Sequence, residues 1–162
     1  MKRIQLLVMG LALLFMGCGG SGASTPESAA KALVGAMSGG DGKAAMSVLP
    51  TDDAFKEAFD CPAEARLMKR LTSRRARLEK EASNLAEKKV SLSIKSFTAE
   101  PMDTTVIKKG EEYKGCKAKV DVTIQKHKLT LLIKKDGKEK DDGEKWKFAR
   151  FGDKKTWYYW KL

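Results

Sequence analysis

The spacing of apolar residues divides the chain, from residue 25 onward, into a helical half and a strand-rich half. Up to Leu85, apolar residues recur every three or four positions, which is the period of an amphipathic helix. From Val90 onward, apolar and polar residues alternate, which is the period of a half-buried strand. Helices that precede the strands, rather than alternating with them, indicate an α+β fold with an antiparallel sheet.

The helical half predicts four helices. Thr25 followed by Pro26 is typical of a helix start, because threonine caps the first turn and proline suits its first position. Asp60 or Cys61 is expected to cap the long fourth helix, in which Arg70, Arg74 and Arg77 lie on a basic face. The predicted helices cover residues 26–38, 43–49, 52–59 and 62–88.

Alternation in the second half predicts antiparallel strands, with the clearest pattern at residues 116–124. Phe97 breaks the alternation of the strand before it, which indicates a β-bulge. Residues 125–128 are interpreted as a hairpin turn that exposes His127, and residues 134–145 as a charged loop. The predicted strands cover residues 90–95, 116–124, 129–133, 146–151 and 157–160.

The first residues have the layout of a secretory signal. Lys2 and Arg3 precede an apolar run, residues 4–16. As a helix this run would span about 20 Å, which is shorter than the ~30 Å hydrocarbon core of a membrane. Residues 14–18, Leu-Phe-Met-Gly-Cys, then resemble the bacterial lipobox, with phenylalanine where the motif prefers leucine.

The lipobox resemblance implies cleavage after residue 17 and lipidation of Cys18, so the membrane is an expected partner. Gly19 in place of aspartate implies sorting to the outer membrane, on its periplasmic side. The alternative is an ordinary signal peptide with a chance cysteine. The expected organisation is a signal peptide at residues 1–17, the lipidated cysteine and a Gly/Ser tether at 18–24, and one domain at 25–162.

Two cysteines remain in the mature chain, Cys61 and Cys116. In an oxidising compartment an even number allows a structural disulfide, which would close a loop of about 56 residues. The alternative is two buried free thiols that pack as small apolar residues.

The net charge limits the classes of partner that we expect. The chain carries +11, from 32 Lys and Arg against 21 Asp and Glu, and the loss of Lys2 and Arg3 with the signal leaves +9. Export makes nucleic acid an improbable partner, so the expected anions are lipid headgroups or cell-wall polymers. The basic face of the fourth helix can equally be a solvated surface with no partner.

Two segments of the chain have the pattern of a known family: the opening helix at residues 26–37 with the following Gly40-Asp41 and short helix, and the segment Gly143–Phe148. Together they resemble the nuclear transport factor 2-like, cystatin-like superfamily in its small envelope-lipoprotein branch. The resemblance implies helices packed on a curved antiparallel sheet that forms a cone with a pocket.

No residue pattern predicts catalysis. The chain has one histidine and lacks nucleophile, P-loop, dinucleotide and HExxH motifs, so we expect no enzyme activity, metal or cofactor. The sequence therefore predicts a non-catalytic envelope domain that binds a small ligand or a protein. The alternative is electrostatic contact of the domain with anionic lipid or wall polymer. In the last strand, one aromatic pair is expected in the core and the other near the surface or the pocket mouth, where it is a candidate for binding; the alternative is that the second pair only covers the helix edge. The four residues are Trp157, Tyr158, Tyr159 and Trp160.

Overall fold

The structure, a computed structural model, describes residues 23–162. Its helices pack against a strongly curled antiparallel sheet, so the predicted α+β class is confirmed. The helices are α1 (Pro26–Ser38), α2 (Gly42–Ser47), α3 (Asp52–Ala58) and α4 (Arg66–Glu87). The strands are β1 (Phe59–Asp60), β2 (Ser91–Phe97), β3 (Asp103–Ile107), β4 (Glu112–Tyr113), β5 (Cys116–Ala118), β6 (Val122–Lys135), β7 (Lys138–Phe151) and β8 (Trp157–Tyr159).

Side-chain caps define where the three short helices begin. Thr25 and Ser28 form a reciprocal capping box at α1, as the sequence predicts for Thr25. Asp41 accepts a hydrogen bond from the Ala44 amide at α2, and Thr51 does the same for Ala54 at α3.

The long helix begins later than the sequence predicts. Ala65 stands at the N-cap of α4 and supplies no side-chain cap. The prediction that Asp60 or Cys61 caps this helix is wrong, because Asp60 pairs with Lys117 in a strand and Cys61 continues that pairing. Asp60 and Cys61 therefore belong to the β1–β5 pairing and are not available to cap α4.

The main sheet has the order β2-β6-β7-β8, and β3 lies beside β2 on the same edge of β6. The register of β2 against β6 shifts between Ile94 and Ser96, which confirms the bulge predicted next to Phe97. The helices cover the concave face, where α1 packs on both β2 and β8. Gly42 permits the close crossing of α2 and α4, because a Cβ there would lie 2.9 Å from Glu79 Cα.

The central hairpin is longer than predicted. β6 runs without a break through residues 125–128, and residues 138–145 form part of β7, so the expected turn and charged loop are both wrong. The chain instead turns at Asp136-Gly137, whose φ angles of 50° and 75° fit a two-residue hairpin turn. The predicted strand at 116–124 is divided between β5 and β6.

A second, small sheet of order β1-β5-β4 carries the cysteines. Phe59 pairs with Ala118 and Asp60 with Lys117, so Cys61 and Cys116 are the next opposing residues. Their Cα atoms lie 4.4 Å apart and their sulfurs are bonded at 2.10 Å. The disulfide thus extends the β1–β5 ladder by one covalent pair.

Candidate ligand-binding site

A pocket of about 160 Å³ opens between α1, α4 and the concave face of the main sheet. Most of its wall is apolar. On α4, the residues at 74, 78 and 81 lie four and three positions apart and therefore share one face of the helix. On β7, Glu144 and Trp146 share one face because side chains two apart in a strand point the same way. The main apolar side chains of the wall are Leu33, Met37, Leu78, Leu92, Leu131 and Trp146.

Five polar side chains also line the pocket: Tyr159, Glu81, Glu144, Lys161 and Arg74. Arg74 lies on the α4 side of the wall. Its side chain is 12% exposed and its guanidinium lies over the Tyr159 ring, 5.4 Å from the centroid. Nη2 donates to the Tyr159 hydroxyl oxygen at 3.3 Å, and Nη1 lies 3.7 Å from Glu81 Oε2. The Nε–H group is buried and has no acceptor among the described residues.

The Tyr159 phenol keeps its proton far above neutral pH. Burial raises the pKa of Tyr159 to about 12, and the neighbouring Arg74 charge opposes this only in part. The hydroxyl accepts from Arg74 and still carries its own proton, so it is a hydrogen-bond donor in the pocket.

A second cleft, which we call the basic groove, lies on the other side of Arg74. It has a volume of about 320 Å³ and shares Arg74 and Lys161 with the pocket. Glu81 lies near Arg74 and 3.6 Å from Arg77 Nη2, and it is the carboxylate that approaches the groove's arginines most closely. The groove is lined by Arg66, Lys69, Arg70, Ser73, Arg74, Arg77, Lys161 and Leu162.

The structure brings the three predicted arginines together in this groove. Arg70 and Arg77 are exposed, and Arg74 stands at the boundary with the pocket. Glu81, Glu144 and Trp146 were not among the predicted site residues. The spacing of Glu81 from Arg74 along α4 was a usable signal, but the two β7 residues lay in or next to a segment interpreted as a loop.

The aromatic residues of the last strand do not divide into an inner and an outer pair. Trp157, Tyr158, Tyr159 and Trp160 are all buried, because α1 packs on β8 and α3 covers the chain end. Trp160 stacks on Phe59 with ring centroids 6.1 Å apart. Among these four residues, Tyr159 lines the pocket.

His127 is buried, contrary to the prediction of an exposed turn residue. It is 1% exposed, stacks on Phe97 at 5.0 Å, and its Nδ1 lies 2.9 Å from the Thr98 carbonyl oxygen. The cause is the unbroken course of β6, which carries the imidazole into the core. Its environment is that of a structural histidine whose polar atoms are paired.

Comparison with protein-family models, with curated proteins and with solved structures gives no match. Within residues 23–162, no three His, Cys, Asp or Glu side chains are grouped as a metal site would need. None of the helices in that same stretch has the length and apolar character to span a membrane. The predicted lipidation site, Cys18, lies outside the described residues.

Proposed function

We propose that this chain is a membrane-anchored, non-catalytic envelope lipoprotein whose domain binds a small ligand in the pocket between α1, α4 and the curled sheet. The observation that carries the proposal is the mostly buried guanidinium of Arg74, in a wall where apolar side chains outnumber polar ones. Ligand sites are typically concave and apolar, with a few polar groups that fix the ligand's orientation.

Arg74 supports a binding role because its position is costly for folding. A buried N–H without an acceptor costs about 1–3 kcal/mol. Arg150 Nε and Trp160 Nε1 are also buried without an acceptor among the described residues, but of these three side chains only Arg74 lines the pocket. The ligand class that fits has a small apolar body and one anionic or hydrogen-bond-accepting group, which Arg74 and the Tyr159 hydroxyl would hold.

The chemistry of Tyr159 favours binding over catalysis. A general acid or base works best when its pKa lies near the working pH. A phenol with a pKa of about 12 stays protonated in the cell envelope and exchanges its proton poorly there. We therefore assign Tyr159 a positioning role toward the ligand.

The anchor and the location are supported by the lipobox-like segment that ends in Cys18. The proposed location is the outer membrane, facing the periplasm, with the nuclear transport factor 2-like cone as the proposed fold family. The curled sheet with helices on its concave face is the architecture that this resemblance implies.

Replacement of the anchoring cysteine tests the location. Cys18→Ala should move the chain from the membrane to the soluble envelope fraction, because lipidation needs the thiol. Ser21→Ala, in the same Gly/Ser segment, is the matched control and should leave fractionation unchanged. A Cys18→Ala chain that stays with the membrane would contradict the proposed anchor.

Replacement of Arg74 tests the pocket, with benzoate as a probe that combines a small ring with a carboxylate. Saturation-transfer NMR on the full chain should detect benzoate, and Arg74→Met should abolish the signal. The free energy of unfolding should change by no more than about 1 kcal/mol, because methionine fills the apolar wall and removes the unpaired N–H.

The matched control is Arg70→Met, which removes the same charge from the exposed part of the groove. It should leave the benzoate signal intact. The pocket assignment is wrong if the unaltered chain gives no signal, or if Arg74→Met binds benzoate as well as Arg70→Met does.

A further inference from the structure

The basic groove holds positive charge that the described chain does not neutralise. Within residues 23–162, no carboxylate lies within ion-pair distance of Arg66, Lys69, Arg70 or Lys161. Elsewhere among the described residues some lysines are paired, as Lys95 is with Asp141 and Lys134 with Glu139, while others, such as Lys135 and Lys138, are in no ion pair. What distinguishes the groove is that six basic side chains line a single cleft.

The spacing of these cations along α4 adds mutual repulsion. Arg66 and Arg70 are four positions apart, as are Arg70 and Arg74, so neighbouring turns present like charges on one side of the helix. Like charges at this spacing destabilise a helix. A bound row of anions would offset this repulsion, because each anion attracts the cations on both sides of it.

Arginine predominates in the groove, and this favours phosphate as the anion. The guanidinium donates two parallel hydrogen bonds to phosphate oxygens, which a lysine ammonium does not. From Arg66 to Arg77 the helix rises about 16 Å, so the row is longer than one phosphate group. The geometry fits a surface that presents several phosphates side by side.

The chain enters the domain beside β8, the strand that is followed by the groove residues Lys161 and Leu162. Ala23 and Trp157 exchange two backbone hydrogen bonds, of 3.0 and 2.7 Å. Cys18 precedes Ala23 by five residues and can therefore lie no more than about 18 Å from it. Lys161 follows Trp157 by four residues, a contour of about 14 Å at most. A lipid on Cys18 would thus hold the membrane within reach of the groove.

We infer that the basic groove is a contact site for the phosphate headgroups of an anionic phospholipid bilayer, the membrane to which the anchor attaches the chain. The inference rests on the anchor of the proposed function and is independent of the pocket. It gives the domain a fixed orientation, in which α4 and the chain end near Lys161 face the headgroups.

Vesicle partitioning of the full chain tests this contact. Partition coefficients are measured for vesicles of phosphatidylcholine alone and for vesicles that also contain phosphatidylglycerol. The apolar N-terminal segment contributes to both partition coefficients, so their ratio measures the effect of headgroup charge alone. The triple variant Arg66→Gln, Lys69→Gln, Arg70→Gln should lower this ratio by about tenfold or more. The preference should also weaken as salt is added.

The matched control removes three lysines from the exposed end of the β6–β7 hairpin. Lys135→Gln, Lys138→Gln, Lys140→Gln loses the same net charge and should keep most of the preference for anionic vesicles. Equal losses in the two triple variants would overturn the inference, because the attraction would then be a property of net charge alone.

Soluble glycerol phosphate distinguishes a membrane from a free phosphate ester. NMR titration of the full chain with glycerol phosphate is compared with vesicle partitioning. If the groove variant loses glycerol phosphate binding and yet partitions like the unaltered chain, a free phosphate ester is the occupant and the membrane inference is wrong. If the groove variant also loses the preference for anionic vesicles, the membrane inference is supported.

Discussion

Loss of the bond between Cys61 and Cys116 should lower the free energy of unfolding by about 4 kcal/mol. The two residues are separated by 55 positions, and the segment between them includes α4, β2 and β3. In the chain-entropy account, the cross-link removes the freedom of this long loop from the unfolded state. Domains of this size have a total stability of about 5–15 kcal/mol, so the bond carries a large share.

The folded backbone already holds Cys61 and Cys116 opposite each other, so the bond forms with little rearrangement of the chain. Their Cα separation of 4.4 Å is the spacing of a non-hydrogen-bonded pair in an antiparallel ladder. Cys116 is almost fully buried, so its sulfur also fills core volume. The bond joins the segment that leads into α4 to the small sheet, and reduction should loosen that junction first.

Urea unfolding with and without dithiothreitol measures the effect on the full chain, in a Cys18→Ser background that leaves two cysteines. Reduction retains both sulfur atoms, whereas Cys61→Ala with Cys116→Ala removes them, so the difference between the two results measures the packing contribution of the sulfurs. The denatured, unreduced chain should show no reactive thiol. Two reactive thiols, or an unfolding curve unaffected by reductant, would refute the bond.

Alkaline pH should destabilise the domain through Tyr159. Because burial raises the folded pKa to about 12, the unfolded chain releases this proton at lower pH, near the ordinary tyrosine value of about 10. Stability from this group is therefore complete below pH ~10 and is lost as the pH rises to ~12. The loss over that window should amount to about 2–3 kcal/mol.

Tyr159→Phe isolates this contribution from the titration of the lysines, which both chains share. Below pH ~9 the variant should be slightly less stable, because it lacks the weak hydrogen bond to Arg74. As the pH rises from ~10 to ~12, the free energy of unfolding of the unaltered chain should fall to that of the variant and then below it. Tyr113→Phe is the control and should follow the unaltered profile. Parallel profiles for Tyr159→Phe and the unaltered chain would contradict the assignment.

Local sequence signals were sufficient for α1 and for one irregularity of the sheet. The Thr25-Pro26 start and the apolar stripe of α1 act within one or two turns, so their prediction needed no knowledge of distant contacts. The bulge near Phe97 was visible because a single extra residue shifts the alternation. In such places local conformation and global packing agree.

The central hairpin was mispredicted because its outer half carries no apolar alternation. Residues 138–145 are mostly charged, and their strand conformation comes from backbone hydrogen bonds to β6. His127 was assigned to a turn for a similar reason, because Gln125, Lys126 and Lys128 around it interrupt the apolar alternation within β6. Tertiary pairing of this kind overrides residue preference, and a single sequence does not display it.

The site was predictable only in part. The basic face of α4 gave Arg70, Arg74 and Arg77, but it did not distinguish the exposed residues from the buried one. Arg74 is largely covered because Tyr159 lies against it, and these two residues are 85 positions apart. Only the closure of the sheet on α4 brings them together, so the pocket emerges from the tertiary fold.

The pairing of Ala23 with Trp157 also determines how the domain would respond to mechanical load. A pull on an N-terminal lipid tether would reach the domain at this pair before it reaches α1. It would act on two backbone hydrogen bonds at the edge of the main sheet. Those bonds can break while α1 remains capped by Thr25 and packed on the sheet. Breaking this pair under load would lengthen the tether by a residue or two, while the core stays folded.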